Sequence, residues 1–452
     1  MRYSDRLIEF TDKAVSPFHA VEETVKELKE AGFNELDPGE SWALKKGGKY
    51  YVSHHGSTLF AFTLGTKDPL KDDLRIATAH TDFPCLRIKT SPDINSSGYA
   101  SVNTEIYGGA ILNTWLDRPL SVSGRIALKS DDIRHPEMKL IDLKRPVLTI
   151  PNVAIHINRD VNKGFELDQQ KDMLPMAGIL PSFLKKDAKK DDCSGEKKLT
   201  DEDRDYFINF IAKEAGVNKE DILSFELCVY NCEKGCYVGV ANDFISAPRL
   251  DNMTSVFADL TGITEGKRAT GINVMAIFDH EEIGSRTKQG AGSMVLSNLI
   301  LKIYSSLTAG KKTGPAGEEL FLNKLSDALL LSVDVGHAYH PYMGDKYDPV
   351  NKSLLNSGVV IKETAEQKYA TDSEAIAVII QMLKKNDIPY SVFVNRSGKP
   401  SGSTLGSIAS SYLPVMTIDT GVPLLAMHSA RELMGAADED ALCDLLRVFY
   451  SI

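Results

Sequence analysis

The stretch Asp279-His280-Glu281-Glu282-Ile283-Gly284 sets three carboxylates and an imidazole directly after the apolar run Ile272–Phe278. Adjacent glutamates in a confined site repel each other, so Glu281 and Glu282 require a cation or two different tasks. A metal site can provide both, with one carboxylate binding the ion and its neighbour moving protons. Similar groups follow other apolar runs. Leu74–Ala79 ends at His80, with Asp82 two residues on; Ala328–Val333 leads into Asp334, and Pro423–Met427 into His428. Asp251 stands just before a helical pattern that starts at Met253. Open α/β sheets bind ligands outside the carboxyl ends of their strands, which would bring these groups to one crevice. Two imidazoles and at least three carboxylates make a mixed N/O set suited to zinc or another divalent transition metal. Each residue alone is more often a cap, a turn residue or a satisfied polar group; their joint placement carries the inference. Gly284 stands where the second histidine of HExxH would be, so the glutamate pair belongs to another geometry.

The elements that must position these groups fall into three sections. The first 90 residues carry amphipathic helices and then the strand-like runs Tyr50–Gly65 and Leu74–Pro84. Beyond about Thr90, short alternating stretches such as LSVSGRIALKS (120–130) and RPVLTIPNVAIHINRD (145–160) lie between Gly, Pro and Asn turns, the pattern of an antiparallel β domain. Within it, residues 184–205 are too polar to pack and are expected as a mobile surface loop. After about Gly239, apolar runs alternate with helical segments such as MTSVFADLTGIT and SEAIAVIIQMLKKN. The expected fold is α/β: a mixed central sheet flanked by helices, formed by residues 1–92 and 240–452, with a β-rich insertion at 93–239.

Composition limits the function classes. With 452 residues, 42% of them hydrophobic, the chain has ample material for a core. A net charge of -10 argues against a broad nucleic-acid or anionic-membrane surface. No apolar run approaches the roughly 20 residues that cross a bilayer, and the N-terminus lacks the apolar core of a signal peptide. A cytoplasmic protein is expected. Cys228, Cys232 and Cys236 recur every four residues but lack a fourth partner at zinc-site spacing. Reduced, partly buried thiols are the expectation there, ahead of a metal site.

The motifs AHTDFP, YGGAILNTWLDRPLSVSGRI, NVAIHINRD, RLDN, DHEEIGS, VDVGHAYHP, GVVIK, QKYATD, GSTLG and AMHSARE occur in one order along nearly the whole chain. In that combination the sequence resembles the M18 family of metallo-aminopeptidases. The resemblance implies a zinc-exopeptidase-like fold whose inserted domain serves as a dimerisation and lid domain. It implies two divalent metal ions per subunit, zinc first, with manganese and cobalt as alternatives. His80 and Asp334 would hold one ion and Glu282 and His428 the other, with Asp251 bridging. Glu281 would be the general base for a metal-bridging water, and Asp82 would orient His80. The family also implies a cis Asp251–Asn252 peptide. His156, read from the residue alone as a turn histidine, would reach a neighbouring subunit's site and stabilise the oxyanion there. The substrates would be short peptides with a free N-terminus. The assembly would be a homo-oligomer built from dimers, a tetrahedral dodecamer, without nucleic-acid or membrane partners.

The sequence also departs from the family. Tyr342 and its neighbours depart from the usual wording after the second histidine of VDVGHAYHP, and Ser407 stands where many members have proline. Both lie where substrate preference is set. Lys362 reads equally as a partner for an acidic N-terminal residue and as a structural lysine, so a preference for acidic residues competes with a neutral, leucine-type one. His337 is a candidate substrate-binding residue, and with His340 it reads nearly as well as a core or supporting histidine. A carboxypeptidase or deacylase on the same scaffold is a second enzyme reading. A non-catalytic assembly or cargo protein is the alternative from another class, disfavoured by the intact ligand set.

Overall fold

The computed structural model describes residues 2–184, 199–310, 314–399 and 402–452. Cys193 and most of the polar segment 184–205 lie outside the described residues. The end of that segment does form structure: Asp201–Arg204 is a short helix. The Thr200 hydroxyl caps it, accepting the Asp203 N–H, while the Asp203 carboxylate accepts the Thr200 N–H.

The chain divides into two compact units. The first comprises Met1–Phe83, Lys234–Met427 and Glu432–Ile452. Among the described residues its main sheet has nine strands, in the order Asn34–Glu35, Lys49–His54, Thr58–Leu64, Ile272–Phe278, Leu74–His80, Leu329–Val333, Met416–Gly421, Val359–Glu363 and Tyr390–Val394. Lys49–Leu64 is a hairpin, and the strands from Ile272–Phe278 across to Met416–Gly421 run parallel to one another. Every residue of Ile272–Phe278, Leu74–His80 and Leu329–Val333 is buried, as expected of parallel strands covered on both faces. A five-stranded sheet accompanies it, in which Glu432–Gly435 pairs with Phe244–Ala247 and Pro423–Leu425.

The helix Leu250–Glu265 is buried on nearly all sides and packs beside Asp438–Phe449. The two approach so closely that a Cβ at Gly262 would lie 2.6 Å from Leu446 Cβ. Tyr450, just past the second helix, donates its hydroxyl to Asp259 Oδ1 at 2.6 Å, and its backbone carbonyl accepts from Asn273. The mixed α/β sheet with helices that the sequence implies is therefore what the chain forms.

The second unit comprises Pro84–Glu233 and His428–Arg431. Its six-stranded sheet has the order Glu137–Asp142, Leu120–Leu128, Ile222–Asn231, Cys85–Ser96, Tyr99–Tyr107 and Met176–Ile179, and its pairings are antiparallel. The run 145–160 departs from the expected strand. Only isolated bridges form, Leu120 with Leu148 and Thr149 with Met176. Pro146 and Pro151 lack the N–H groups a ladder needs, and the chain beyond them is held by Asp117, whose carboxylate accepts both the backbone and side-chain N–H of Asn152 at 2.8 Å. His156 sits exposed in the turn that follows. The described cysteines form no disulfide with one another, but the trio runs from buried Cys228 to exposed Cys236, so partial burial does not describe all three.

Candidate metal centre

Three parallel strands end side by side, and their ends carry the chemistry. Phe278 pairs with His80, and Ser332 with Thr78, so Asp334 falls level with His80 one strand away. Adjacent strands lie about 4.8 Å apart, which suits ligands to one ion or to two close ones. His80 is buried, with Nε2 3.4 Å from Asp251 Oδ1 and 3.5 Å from Asp334 Oδ1. Its Nδ1 lies 3.0 Å from the Asp82 carbonyl and 3.4 Å from the Asp82 carboxylate, which fixes the ring's orientation.

Asp82 has a further task. One of its oxygens accepts the Glu281 N–H and the other the Glu282 N–H, each at 3.1 Å. A single buried carboxylate thus orients the histidine and holds the turn bearing both glutamates. The turn itself is a short 3-10 segment, Glu281–Ile283, entered and left through positive φ at His280 and Gly284. A Cβ at Gly284 would meet nothing, so its φ of +95° is what favours glycine there. Asp279 serves the turn: Oδ1 accepts the His280 N–H at 2.8 Å, and its own N–H donates to Thr58 Oγ1.

Asp251 precedes the regular part of its helix, since Asp251 and Asn252 both depart from helical dihedrals and the peptide between them is cis. Its N–H donates to Glu432 Oε2 at 3.0 Å, and the Asn252 amide donates to the Val333 carbonyl, beside Asp334. Glu432 is a supporting residue the sequence reading passed over. Only its position three residues beyond His428–Ser429, in a motif rich in polar groups, could have signalled it.

Within the first unit two trios of ligand-capable residues result, His80–Asp251–Asp334 and His80–Glu281–Glu282, with one ligand atom from each member within 4.8 Å of the others. Their electrostatics call for a cation. Burial alone would depress His80, but Asp251, Asp334 and Asp82 outweigh it and hold the imidazolium well above its ordinary range. Burial, followed by repulsion from Asp334, Asp82 and Asp251, pushes Glu281 up to about 8 against the pull of His80. The cluster holds more negative charge than its own side chains neutralise. An imidazole among carboxylates fits zinc or a similar divalent ion.

Lys362 is 1% exposed and donates to the carbonyls of Asp334 at 3.0 Å and Val335 at 3.3 Å, with Nζ 3.6 Å from Asp334 Oδ2. Despite burial, the Asp334 and Asp419 carboxylates hold its ammonium above the ordinary lysine range. Asp419, buried in the next strand, accepts the Ala370 N–H and the Thr404 hydroxyl, each at 2.6 Å. It was also missed, being a lone carboxylate inside an apolar run. His337 is exposed, with its ring 5.8 Å from that of Phe393. His340 is partly buried, and its Nδ1 accepts the Tyr342 N–H. His428 groups with the second unit, where its Nδ1 lies 3.2 Å from the Gly109 carbonyl.

Comparison with known proteins extends over the whole chain. The family profile described as aminopeptidase I zinc metalloprotease (M18) matches residues 10–450. The chain is 40% identical over 453 residues to the probable M18 family aminopeptidase 2 of Clostridium novyi, covering 100% of this chain and 99% of that one. It is 36% identical over 461 residues to aspartyl aminopeptidase 4 of Saccharomyces cerevisiae, covering 99% and 94%. Among solved structures, a chain of the Ape4 and Nbr1 complex superposes with a TM-score of 0.90 at 30% identity, covering 99% of this chain and 85% of that one. The M18 aminopeptidase of Thermotoga maritima shares the fold, with a TM-score of 0.84 at 23% identity, covering 99% and 96%. So does a chain of the S. cerevisiae mApe1 dodecamer, with a TM-score of 0.80 at 24% identity, covering 99% and 96%. A full-length match of this strength, joined to a carboxylate–imidazole cluster at the strand ends, places the chain in the M18 family of zinc metallo-aminopeptidases.

Proposed function

We propose that this aminopeptidase removes the N-terminal residue from short peptides, using two divalent metal ions per subunit with Glu281 as general base. The observation that carries the reading is the trio His80–Asp251–Asp334 within ligand reach of one another, with Glu281 and Glu282 presented side by side by Asp82. His80 and Asp334 would hold one ion, Glu282 and His428 the other, and Asp251 would bridge. Zinc is the first choice by family, with manganese and cobalt as alternatives. Such a pair of ions, when bound, polarises the scissile carbonyl and lowers the pKa of a nearby water. Glu281 takes the proton of the attacking water and returns it to the departing amine. Asp82 keeps the His80 ring and the glutamate turn in register during both transfers.

Side-chain preference is a finer matter. The name of the relative, aspartyl aminopeptidase 4, supports the acidic reading, while the burial of Lys362 and its two backbone acceptors support a role in positioning Asp334. A neutral preference is thus the competing reading. For assembly, the dodecameric relative and the exposed apolar side chains flanking His156 support a homo-oligomer built from dimers. Residues 93–239 would serve as the dimerisation and lid domain. No helix among the described residues is long and apolar enough to cross a membrane, and a cytoplasmic site of action fits this reading.

The deciding experiment compares dipeptides bearing free and N-acetylated amines, in zinc, manganese and cobalt, with metal content measured in parallel. Hydrolysis confined to free amines, with two ions per chain, is expected. Turnover of blocked peptides would favour the deacylase or carboxypeptidase reading, and no turnover with no metal uptake the non-catalytic one. Including Asp, Glu and Leu at the N-terminus settles the preference.

A further inference from the structure

A cleft of about 940 Å³ opens in the first unit, and its wall begins at Ile283, directly after Glu282. Gly284, Arg286 and Lys288 also line it, together with Ser403, Ser407 and Tyr412. Its chemistry is one-sided. The chain as a whole carries a net charge of -10, yet two cations and no carboxylate line this cleft. Arg286 and Lys288 are both exposed and make no ion pair among the described residues. Neither is accounted for by the metal centre.

Three hydroxyls of the cleft have spent their protons. Ser407 Oγ donates to the Thr404 carbonyl at 3.0 Å, Ser411 Oγ to the Ser407 carbonyl at 3.2 Å, and Ser293 Oγ to the Gly290 carbonyl at 2.8 Å. Toward a ligand these oxygens are acceptors, and the strong donors are the guanidinium and the ammonium. A complementary ligand carries N–H donors along its length and an anion at its end. Ile283, Ile408 and Tyr412 add apolar surface for side chains. A short stretch of peptide ending in its own carboxylate has this pattern.

We propose that this cleft receives the C-terminal portion of the substrate, with Arg286 and Lys288 binding its free α-carboxylate. The inference rests on the aminopeptidase reading above and adds a second determinant to it. The enzyme recognises both ends of a short peptide, and the distance between glutamate turn and cations sets the favoured length. At about 3.3–3.6 Å per extended residue, a series of tri- to pentapeptides samples increasing reach from the glutamate turn.

The test uses tri-, tetra- and pentapeptides of one repeating sequence, each as free acid and as C-terminal amide, alongside an aminoacyl arylamide with no carboxylate. In the wild-type enzyme, kcat/KM for the acid should exceed that for the amide by about ten- to hundredfold at the favoured length. The Arg286→Ala/Lys288→Ala variant should lose that difference and keep its activity on the arylamide. Equal rates for acid and amide at every length overturn the proposal. So does an acid preference that survives in the double variant, or a loss that extends equally to the arylamide. An acidic side chain near the peptide's end, tested on the amide series, distinguishes a general carboxylate site from one for the terminus: rescue of the amide by such a residue would overturn terminal recognition. Failure on every free-amine substrate would instead sink the underlying aminopeptidase reading.

Discussion

At the scale of single residues, Glu281 and Glu282 share a backbone turn and one supporting carboxylate, so their difference must lie in what their side chains do. In the proposed assignment Glu281→Gln removes a base and no ligand. It should lower kcat by about 10²- to 10⁴-fold while metal content by elemental analysis stays near wild type. Glu282→Gln should lower the content of one ion together with activity. Equal metal loss in both variants would contradict the division of roles. His80, Asp82, Asp251 and Asp334 were legible because each follows an apolar run or precedes a helix, and such positions point chemistry toward a crevice. Glu432 and Asp419 were not. Each acts by accepting hydrogen bonds from residues far along the chain, Glu432 from Asp251 and Asp419 from Ala370, and no local pattern encodes such a partner.

At the scale of elements, the helix that begins after Asp251 is tied to the C-terminal helix through Asp259 and Tyr450. Burial pushes the Asp259 carboxyl up to about 8, only partly countered by the Tyr450 hydroxyl. An unfolded aspartate titrates near 3.9, so between roughly pH 4 and 8 the folded chain holds a proton the unfolded chain has released. Stability should therefore fall as pH rises through that window, by up to about 1.4 kcal/mol per pH unit from this group, with no further loss above it. Asp259→Asn should flatten that slope, gaining on wild type at pH 8.5 relative to pH 5.5 in urea midpoints. Parallel curves for the two proteins would refute the assignment. The helices and most strands were legible from period and length. The run 145–160 misled because its alternation is that of a strand, while its prolines and the Asp117–Asn152 bonds commit it to turns.

At the scale of the whole molecule, His156 is the test of assembly. It sits in an exposed turn between Ile155 and Ile157, which are 47% and 81% exposed. If it serves a neighbouring subunit's oxyanion, His156→Ala should fold, bind metal and lose about 10²–10³-fold in kcat. Reassembled with Glu281→Gln, it should regain activity, because one site in each mixed dimer has both an intact glutamate and a partner's histidine. Mixed dimers that form and stay inactive would exclude a role across the interface. Interfaces leave little trace in one sequence, since an exposed isoleucine and a buried one are the same letter.

The sheet order has a consequence for how the enzyme comes into being. The strands ending at His80, Phe278 and Val333 are neighbours in the sheet but are far apart along the chain. On the ribosome, His80 emerges long before its first parallel neighbour, and Asp334 and His428 follow later still. A nascent or truncated chain therefore carries scattered acids and imidazoles with no cavity to gather them. With the site assembled as proposed, aminopeptidase activity awaits synthesis of most of the sequence, so the site stays unformed while the chain's own unfolded N-terminus is exposed beside it.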